Sequence, residues 1–402
     1  MNNIIENSKS KFHILIVDDD HKSLQVLGSI LKQDNYKVDF ALDGIEALNW
    51  LKREKFDLIL LDIVMPRLNG FEVCERIKKD PNTKNIPIIF ITSKDDIEST
   101  VQGFKLGAVD YITKPFNTDE LIIRVGTQLT IKKNHDDLIK FSNELEIKNK
   151  TILDSIIYSE RIQKAILPGK EEFEKLNIKH FIIYKPKDII SGDFYWIKKT
   201  ENKLLFAVVD CTGHGVPGAI MSMIGYSAIN QAVNEYGMDN PGKILLHMHN
   251  FIINSLQKTT HPDNKVNDGM DISLCALDKK NNILEFAGAN QSLFLVRNKE
   301  LTVIKGEKFS IGEILLSINE FKNHKIKLEN NDLIYIITDG FSDQFGYESD
   351  KRYTIKRLKN FLISISKKSI KEQYNMLENE FKKWKGENEQ VDDVTILGIQ
   401  ID

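Results

Sequence analysis

Between Phe12 and Thr130 the chain alternates short apolar runs with stretches in which apolar residues recur every three or four positions. The runs predict five strands: ILIV (14–17), YKVDFA (36–41), DLILLD (57–62), IPIIFIT (86–92) and AVDYIT. The amphipathic stretches that follow each run predict helices. Five successive βα units are typical of a doubly wound parallel sheet, in which a functional site lies at the carboxyl ends of the strands.

The pattern changes between residues 131 and 166, where proline and glycine are missing and polar helix formers dominate. One stripe repeats every seventh residue and is apolar except for its serine: Ile131, Leu138, Leu145, Ile152, Ser159 and Ile166. This spacing predicts a long helix with a weak coiled-coil seam, ending at LPG (167–169). Two interpretations remain open, a seam that joins two copies of the chain and a solvated single-helix spacer.

From about Lys170 onward, predicted strands outnumber predicted helices. Runs such as LLFAVVD, LIYIITD and VTILGIQI predict strands, and VPGAIMSMIGYSAINQAV and PGKILLHMHNFIINSL predict two helices. Many antiparallel strands with paired helices favour a sandwich that is layered with helices. We therefore expect a multidomain α/β chain with a disordered tail (1–10), an α/β domain (11–130), a coiled-coil-like helical linker (131–167) and a sandwich domain (168–402).

Composition narrows the class of protein. The 402 residues include 55 Lys plus Arg and 58 Asp plus Glu, and a net charge of -3 gives no general reason to expect a nucleic-acid partner. Three widely spaced cysteines (Cys74, Cys211 and Cys275) predict neither a disulfide framework nor a cysteine-based zinc site. No apolar run approaches a membrane span, and MNNIIENSKSKF has no signal-peptide core, so we expect a soluble cytoplasmic protein without a membrane partner.

The first candidate site joins acidic residues to a lysine at the strand ends of the parallel sheet. Asp18, Asp19 and Asp20 follow the first predicted strand and Asp62 ends the third, while Thr92 ends the fourth and Lys114 follows the fifth. Carboxylates gathered at one sheet edge suit Mg²⁺, and the metal with the lysine would neutralise a phosphoryl group moving to a carboxylate nucleophile. Asp20 has two open interpretations, a functional role or a cap of the next helix.

The motifs ILIVDDD, LLDIVMPRLNG, IFITS and YITKPF occur in the order found in the receiver domain of two-component response regulators, which residues 11–130 resemble. The resemblance implies a histidine kinase as partner. It also implies a role for each matching residue. Asp62 would be the phosphoacceptor, Asp18 and Asp19 the Mg²⁺-binding acidic pair, the Val64 carbonyl a further metal ligand, Thr92 and Tyr111 the switch pair, and Lys114 the phosphate partner.

A second acidic set lies in the sandwich domain, in the segments SGDFYW, VVDCTGHGVPG, ITDGFSD and DDVTILGI. Asp193, Asp210, Asp339 and Asp392 lie far apart in the chain, and three of these segments adjoin predicted strands. Carboxylates that meet at strand ends repel one another unless a divalent cation binds between them. The set therefore indicates a metal-dependent hydrolase.

These segments resemble the PPM metal-dependent serine/threonine phosphatases of the bacterial sporulation stage II and sigma-regulator type, over about residues 165–402. The resemblance implies an αββα sandwich with two Mn²⁺ or Mg²⁺ ions. Asp210 would bridge both metals. Further ligands would be the Cys211 carbonyl, Asp339 and Asp392, and Asp193 would act through water. Asp343 with Asp271 would hold a third metal. Asp393 is the alternative to Asp392, His214 is a candidate for the otherwise unassigned general acid, and Lys187 is either a phosphate-binding or a solvated lysine.

Together these sites favour a response regulator with an enzymatic output. Phosphorylation of Asp62 would act through the linker on a phosphatase for phosphoserine or phosphothreonine proteins, and by resemblance the substrate would be an anti-sigma-factor antagonist. A second hypothesis is a catalytically silent module that binds its partner according to phosphorylation state. A DNA-binding output is disfavoured, because no helix-turn-helix pattern follows the receiver and the chain is not basic.

Overall fold

The computed structural model describes residues 12–93, 97–174, 176, 178–256, 268–313, 318–348 and 350–402. The chain falls into two compact units, residues 1–149 and 150–402. The predicted disordered tail, residues 1–10, lies outside the described residues. None of the helices in the described ranges combines the length and the hydropathy needed to cross a bilayer.

The first unit is built on a five-stranded parallel sheet with the order β2-β1-β3-β4-β5. The strands are β1 His13–Val17, β2 Lys37–Ala41, β3 Leu58–Asp62, β4 Ile88–Ser93 and β5 Asp110–Lys114. The helices are α1 His21–Gln33, α2 Gly44–Leu51, α3 Gly70–Lys79, α4 Ile97–Lys105 and α5 Thr118–Ile166. Alternate residues of β1 contribute to two separate cores, one on each face, which confirms the doubly wound prediction.

Helix α5 extends far beyond the sheet. It runs without a break for 49 residues, so the last helix of the parallel-sheet unit and the predicted linker are one element. The apolar stripe of the linker is exposed: Ile131, Leu138, Leu145 and Ile152 each keep more than half of their surface accessible. Packing within the described residues therefore does not explain why this stripe is apolar.

The second unit contains two five-stranded sheets with the orders β13-β10-β9-β8-β7 and β12-β11-β14-β15-β6. Its strands are β6 Lys179–Lys185, β7 Phe194–Lys199, β8 Leu204–Cys211, β9 Met270–Asp278, β10 Ile283–Ala289, β11 Ser292–Arg297, β12 Glu300–Lys305, β13 His324–Lys327, β14 Leu333–Ile337 and β15 Val394–Gln400. Its helices are α6 Lys170–Glu174, α7 Gly215–Asn230 (continued by a π-helix, Gln231–Glu235), α8 Pro241–Leu256, α9 Gly340–Asp343, α10 Ile355–Ile365 and α11 Ile370–Lys385.

Three cores show how these elements are layered. Phe206 and Phe286 of one sheet pack with Leu295 and Leu397 of the other, which forms the layer between the sheets. On the outer faces, one core lies under α7 and α8 and the other under α10 and α11. The second unit is therefore a helix-sheet-sheet-helix sandwich, as the sequence predicts.

Candidate functional site

The receiver-like site forms where β1, β3 and β5 end. Asp18, Asp19 and Asp62 each present a carboxylate oxygen within 4.8 Å of the others. The Lys114 ammonium nitrogen lies 2.8 Å from Asp18 Oδ2 and 3.2 Å from Asp62 Oδ1. Asp18 and Asp62 are buried, whereas Asp19 is exposed. The sequence prediction that these four side chains meet at one sheet edge agrees with the structure.

At this edge of the sheet, the carboxylates of Asp18, Asp19 and Asp62 outnumber the one ammonium group of Lys114. Burial, followed by the negative charge of Asp18, raises the pKa of Asp62 to about 6, although Lys114 acts in the opposite direction. Burial also acts to lower the pKa of Lys114, but its contacts with Asp18 and Asp62 raise that pKa overall. One ammonium group thus contacts two of the three carboxylates, Asp18 and Asp62, and carboxylate oxygens are ligands that Mg²⁺ prefers.

The remaining receiver candidates surround this group. Asp20 caps α1, because its carboxylate accepts hydrogen bonds from the backbone N–H groups of Lys22 and Ser23; this supports the capping interpretation. Val64 lies in the loop after β3 and is 77% exposed. Thr92 and Tyr111 lie on neighbouring strands and on the same face of the sheet, as the pairing of β4 with β5 shows.

Thr92 and Tyr111 differ in their surroundings. Thr92 is buried, and its hydroxyl donates to the Ser93 carbonyl at 3.3 Å. The Tyr111 ring is half-buried, with the Arg124 guanidinium 5.5 Å from its centroid. The centroid of the nearly perpendicular Phe104 ring lies 6.2 Å from that of Tyr111. Thr92 is therefore enclosed, whereas Tyr111 is partly accessible.

The second site forms at one end of the layer between the two sheets, and side-chain alternation explains its position. In β8, Phe206 and Val208 point into this layer, so Asp210 continues the same row, while Cys211 points to the outer core. By the same alternation Asp193, Thr338 and Thr395 extend the inward-facing rows of β7, β14 and β15. Strand ends from both sheets thus bring polar side chains to one place.

The charge environment of Asp210 shows how closely the acidic residues gather. Burial raises the pKa of Asp210 to about 10, with further contributions from the charges of Asp193, Asp339, Asp271 and Asp392. Burial and the charge of Asp392 raise the pKa of Asp339 to about 6, whereas a hydrogen bond with Asp210 acts to lower it. The four carboxylates of the sequence prediction therefore lie close enough to interact electrostatically. Among the described residues, however, only Asp18, Asp19 and Asp62 place three ligand atoms within 4.8 Å of one another.

Asp193 lies deepest in this group. It is only 2% exposed, and its Oδ2 accepts hydrogen bonds from the hydroxyls of Thr338 at 2.8 Å and Thr395 at 2.7 Å. Burial raises its pKa well above the usual range, although both threonines act in the opposite direction. The threonines hold the Asp193 carboxylate in place, and its role through water stays a prediction.

The neighbours Asp392 and Asp393 have different positions. Asp393 is buried, and its carboxylate accepts hydrogen bonds at 2.7 Å from the backbone N–H groups of Lys187 and of Gly192. Asp392 is half-buried, and its charge acts on Asp210 and Asp339. Asp393 thus holds the 187–192 segment in place, and Lys187 contributes its backbone to that contact.

The other candidates lie around this centre. Cys211 is buried in the outer core, and burial raises the pKa of its thiol well above the usual range. Asp271 lies opposite Asp210 in the β8–β9 ladder and accepts hydrogen bonds from Ser310 at 2.5 Å and Asn290 at 2.7 Å. Asp343 accepts one from Arg352 at 2.9 Å. Both third-metal candidates therefore already have polar partners.

His214 forms a dyad with Asp188 that the sequence does not predict. Its Nδ1 lies 2.7 Å from Asp188 Oδ2, and about half of each side chain is exposed. His214 also directly precedes α7, so the glycine-rich loop between β8 and α7 ends at this imidazole. Nothing in the sequence around Asp188 indicates the contact. Thr338 and Thr395, by contrast, lie inside the acidic motifs ITDGFSD and DDVTILGI, which is a signal for their place near the centre.

Comparison with known proteins agrees with this architecture. Residues 14–126 match the family profile of the response regulator receiver domain, and residues 200–402 match that of Stage II sporulation protein E (SpoIIE). The solved SiaA-PP2C domain of Pseudomonas aeruginosa is 33% identical, with a TM-score of 0.57; the match covers 63% of this chain and 99% of that one.

Curated relatives match shorter stretches. A probable cyclic di-GMP phosphodiesterase of Vibrio cholerae is 42% identical over 137 residues, which are 34% of this chain and 31% of that protein. The DNA-binding dual master transcriptional regulator RpaA of Synechocystis is 34% identical over 186 residues, which are 44% of this chain and 75% of that protein. The chain therefore spans less than a third of the length of the first of these relatives.

The fold and the two sites define a receiver domain joined to a PP2C-type phosphatase domain. The receiver comes first, and its Asp62 and Lys114 occupy the strand ends described above. Through its second unit, this chain belongs to the Stage II sporulation protein E family.

Proposed function

We propose that this chain is a response regulator in which phosphorylation of Asp62 controls a metal-dependent phosphatase acting on phosphoserine or phosphothreonine proteins. The observation that carries the enzymatic part is the gathering of acidic side chains around Asp210. Burial, together with the charges of four neighbouring carboxylates, raises the pKa of Asp210 to about 10. A structural role alone does not account for so unfavourable a cluster, because buried like charges destabilise a fold. Divalent cations would remove this repulsion.

The donor set fits Mn²⁺ or Mg²⁺, since both bind carboxylate and carbonyl oxygens. Asp210 is the proposed bridging ligand, and Asp339, Asp392 and the Cys211 carbonyl complete the pair of sites, with Asp193 acting through water. Asp271 and Asp343 are the proposed ligands of a third, weaker site. When bound, two cations would supply an activated water and neutralise the phosphoryl oxygens of the substrate.

The chain's own residues have distinct tasks in this proposal. Thr338 and Thr395 orient Asp193, and Asp393 holds the backbone of the neighbouring loop. His214 is the proposed general acid: in its doubly protonated form, Nδ1–H would donate a hydrogen bond to Asp188 and Nε2–H would give its proton to the departing serine or threonine oxygen. Lys187, on the same loop, is a candidate for binding the substrate phosphate.

In the receiver, Asp62 is the proposed nucleophile towards a phosphoryl group supplied by a histidine kinase. Mg²⁺ would be bound by Asp18, Asp19, Asp62 and the Val64 carbonyl. Lys114 already contacts Asp62 at 3.2 Å and would pair with the phosphoryl group. Thr92 and Tyr111 would then change position in response, and α5 would carry the change toward the second unit.

The resemblance to PP2C-type phosphatase domains supports a phosphorylated protein as the proposed substrate. By the same resemblance we propose an anti-sigma-factor antagonist or a similar regulator as substrate. The exposed stripe of α5 (Ile131, Leu138, Leu145 and Ile152) supports a homodimer formed through the linker. A silent phosphorylation-dependent binding module remains the second candidate, but such a module has no need of the repelling carboxylates around Asp210.

Hydrolysis of p-nitrophenyl phosphate by the full chain, with and without Mn²⁺, tests the enzymatic part. We expect Mn²⁺-dependent turnover in the wild type and its loss in Asp339→Asn, which keeps the shape of the side chain but removes its charge. Arg297→Lys is a suitable control, because Arg297 contacts Asp332 at 2.6 Å in a cluster separate from the metal-site residues. Equal turnover in the wild type and Asp339→Asn would contradict the proposal.

A further inference from the structure

Arg352 differs from the other cationic side chains of the sandwich domain. Within the described ranges it is the one lysine or arginine that forms an ion pair with a candidate metal ligand of the second site, because its Nη1 lies 2.9 Å from Asp343 Oδ2. The arginine side chain is 58% exposed and the aspartate side chain 40% exposed. Exposed ion pairs contribute little to stability, so the position of this pair calls for another explanation.

The backbone of Arg352 is anchored to the residues that follow α9. Arg352 forms an antiparallel bridge with Phe345. The next residue, Tyr353, donates its N–H to the Gln344 carbonyl at 3.0 Å and is only 1% exposed. Its ring packs against the Phe341 ring in the outer core, with the two centroids 5.2 Å apart. The guanidinium therefore extends from a segment that is fixed against the helix carrying Asp343.

Asp343 connects Arg352 to the acidic centre. The Asp343 backbone N–H donates to the Asp339 carbonyl at 3.0 Å, so these two aspartates lie one helical turn apart. Burial, and then the charges of Asp392 and Asp343, raise the pKa of Asp339. The Arg352 guanidinium therefore lies at the edge of the group of carboxylates at which the cations are proposed to bind.

The Arg352 guanidinium keeps hydrogen-bond donors for a ligand. An arginine side chain has five N–H donors in a planar fork, and Asp343 accepts a hydrogen bond from Nη1. Among the described residues, no other group accepts a hydrogen bond from this side chain. Its Cζ lies over the Phe345 ring, 5.7 Å from the centroid. A guanidinium held in this way suits the oxygens of a phosphoryl group.

We propose that Arg352 binds the phosphoryl group of the substrate and that Asp343 positions its guanidinium for this contact. The inference rests on the proposed function, because it concerns the same phosphatase site. It assigns to Arg352 the task for which Lys187 is the other candidate, and it gives Asp343 a role that needs no third cation. A phosphoryl group bound between the two cations and Arg352 would have its charge neutralised from both sides.

The test compares Arg352→Met with a matched variant, Lys351→Met. Both changes remove one positive charge from an exposed side chain of the same segment. Within the described ranges Asp343 pairs with Arg352 and not with Lys351, so only the first change removes the proposed contact. Arg352→Lys is a third variant: it keeps the charge but lacks the planar fork, so its effect should fall between those of the wild type and Arg352→Met.

The measurement is the inhibition of p-nitrophenyl phosphate hydrolysis by inorganic phosphate, with the full chain at saturating Mn²⁺. We expect Arg352→Met to raise the inhibition constant about tenfold, which corresponds to about 1.4 kcal/mol, and Lys351→Met to leave it unchanged. In Arg352→Met the KM for substrate should rise by a similar factor while kcat changes much less, because the contact is made in the ground state as well as in the transition state. The Mn²⁺ concentration for half-maximal rate should stay unchanged.

Asp343→Asn tests the positioning part of the inference. In the wild-type background it should raise the inhibition constant by a smaller factor, because the guanidinium loses its charged partner. In the Arg352→Met background the same change should have no further effect, since two residues that act through one contact are not additive. A larger Mn²⁺ requirement in both backgrounds would instead indicate a third-metal ligand and would overturn the positioning role.

An unchanged inhibition constant in Arg352→Met, or equal increases in Arg352→Met and Lys351→Met, would overturn the inference as a whole. A wild type that binds Mn²⁺ but hydrolyses no phosphoester would instead contradict the proposed function. Calorimetric titration of inorganic phosphate into the Mn²⁺-loaded full chain would then decide the role of Arg352 through the same comparison of variants.

Discussion

Replacing Asp62 with asparagine should stabilise the receiver when no metal is present. The Asp62 carboxyl is buried beside Asp18 and Asp19, and Lys114 is the cation that contacts both Asp62 and Asp18. Asparagine has nearly the same shape but carries no charge. The same change removes the proposed phosphoacceptor, so stability and function should move in opposite directions.

The expected size follows from the pKa of Asp62, which is raised from 3.8 to about 6. Because the folded-state pKa is the higher one, the stability linked to the protonated carboxyl is fully present below about pH 4 and is lost as the pH rises through about 6. Above about pH 7 the raised pKa of Asp62 lowers the free energy of unfolding of the wild type by about 3 kcal/mol, and at about pH 5 by roughly half of that. The weaker contact of asparagine with Lys114 reduces the net gain to about 2 kcal/mol.

Differential scanning calorimetry of the full chain in a chelator, near pH 5 and near pH 7.5, measures this effect on the receiver transition. The variant should melt above the wild type at both values, with the larger gap at the higher pH. Added Mg²⁺ should narrow the gap, since it binds the folded wild type more tightly than the variant. A variant that melts at or below the wild type near pH 7.5 without metal would refute the reasoning.

Three further changes test other parts of the account. Asp210→Asn should lower Mn²⁺-dependent hydrolysis by roughly three orders of magnitude yet raise the melting temperature of the metal-free chain near pH 7.5, because burial holds the Asp210 pKa at about 10. Leu138→Glu should turn a dimer into a monomer in sedimentation, whereas Lys150→Glu, on the opposite face of the helix from the apolar stripe, should not. His214→Gln should slow hydrolysis of a phosphoserine peptide about 100-fold but affect p-nitrophenyl phosphate much less, because nitrophenolate leaves without a proton; equal effects on both substrates would argue against a general acid.

Strand ends could be predicted from the sequence because fully buried strands have an unmistakable pattern. The apolar runs ILIV, before Asp18, and LILL, before Asp62, predict that both aspartates lie at one sheet edge, and the structure agrees. In the sandwich, alternate side chains of β8 point into the layer between the sheets, and Asp210 follows Phe206 and Val208 in that row. The position of each aspartate at the end of its strand therefore predicts where it lies in the two sites.

Contacts between distant segments could not be predicted in this way. Asp392 and Asp393 are adjacent, and only hydrogen bonds from the backbone of Lys187 and Gly192, about two hundred residues earlier, distinguish them. Thr338 and Thr395 look like ordinary strand residues, since threonine favours strands for steric reasons. The hydrogen-bond partners of a side chain depend on which distant segments the fold brings together. A strand or helix pattern in a single sequence does not predict those partners.

Helix α5 shows a further limit. The sequence places a boundary near residue 130 because the composition changes there, but residues 127–167 contain neither glycine nor proline that would end a helix. The structure accordingly continues α5 to Ile166. The helix is thus a single element that crosses the predicted boundary near residue 130. The domain limits themselves stay predictions: 11–130, 131–167 and 168–402.

The central claim is that the state of Asp62 controls phosphatase activity in the second unit. The most direct measurement is the rate at which the full chain, with saturating Mn²⁺, dephosphorylates a phosphoserine protein before and after treatment with a small-molecule phosphodonor, with Asp62→Asn treated in parallel. The account predicts a change in rate in the wild type and none in Asp62→Asn. Identical rates in the treated and untreated wild type, with Asp62 shown to be phosphorylated, would contradict it.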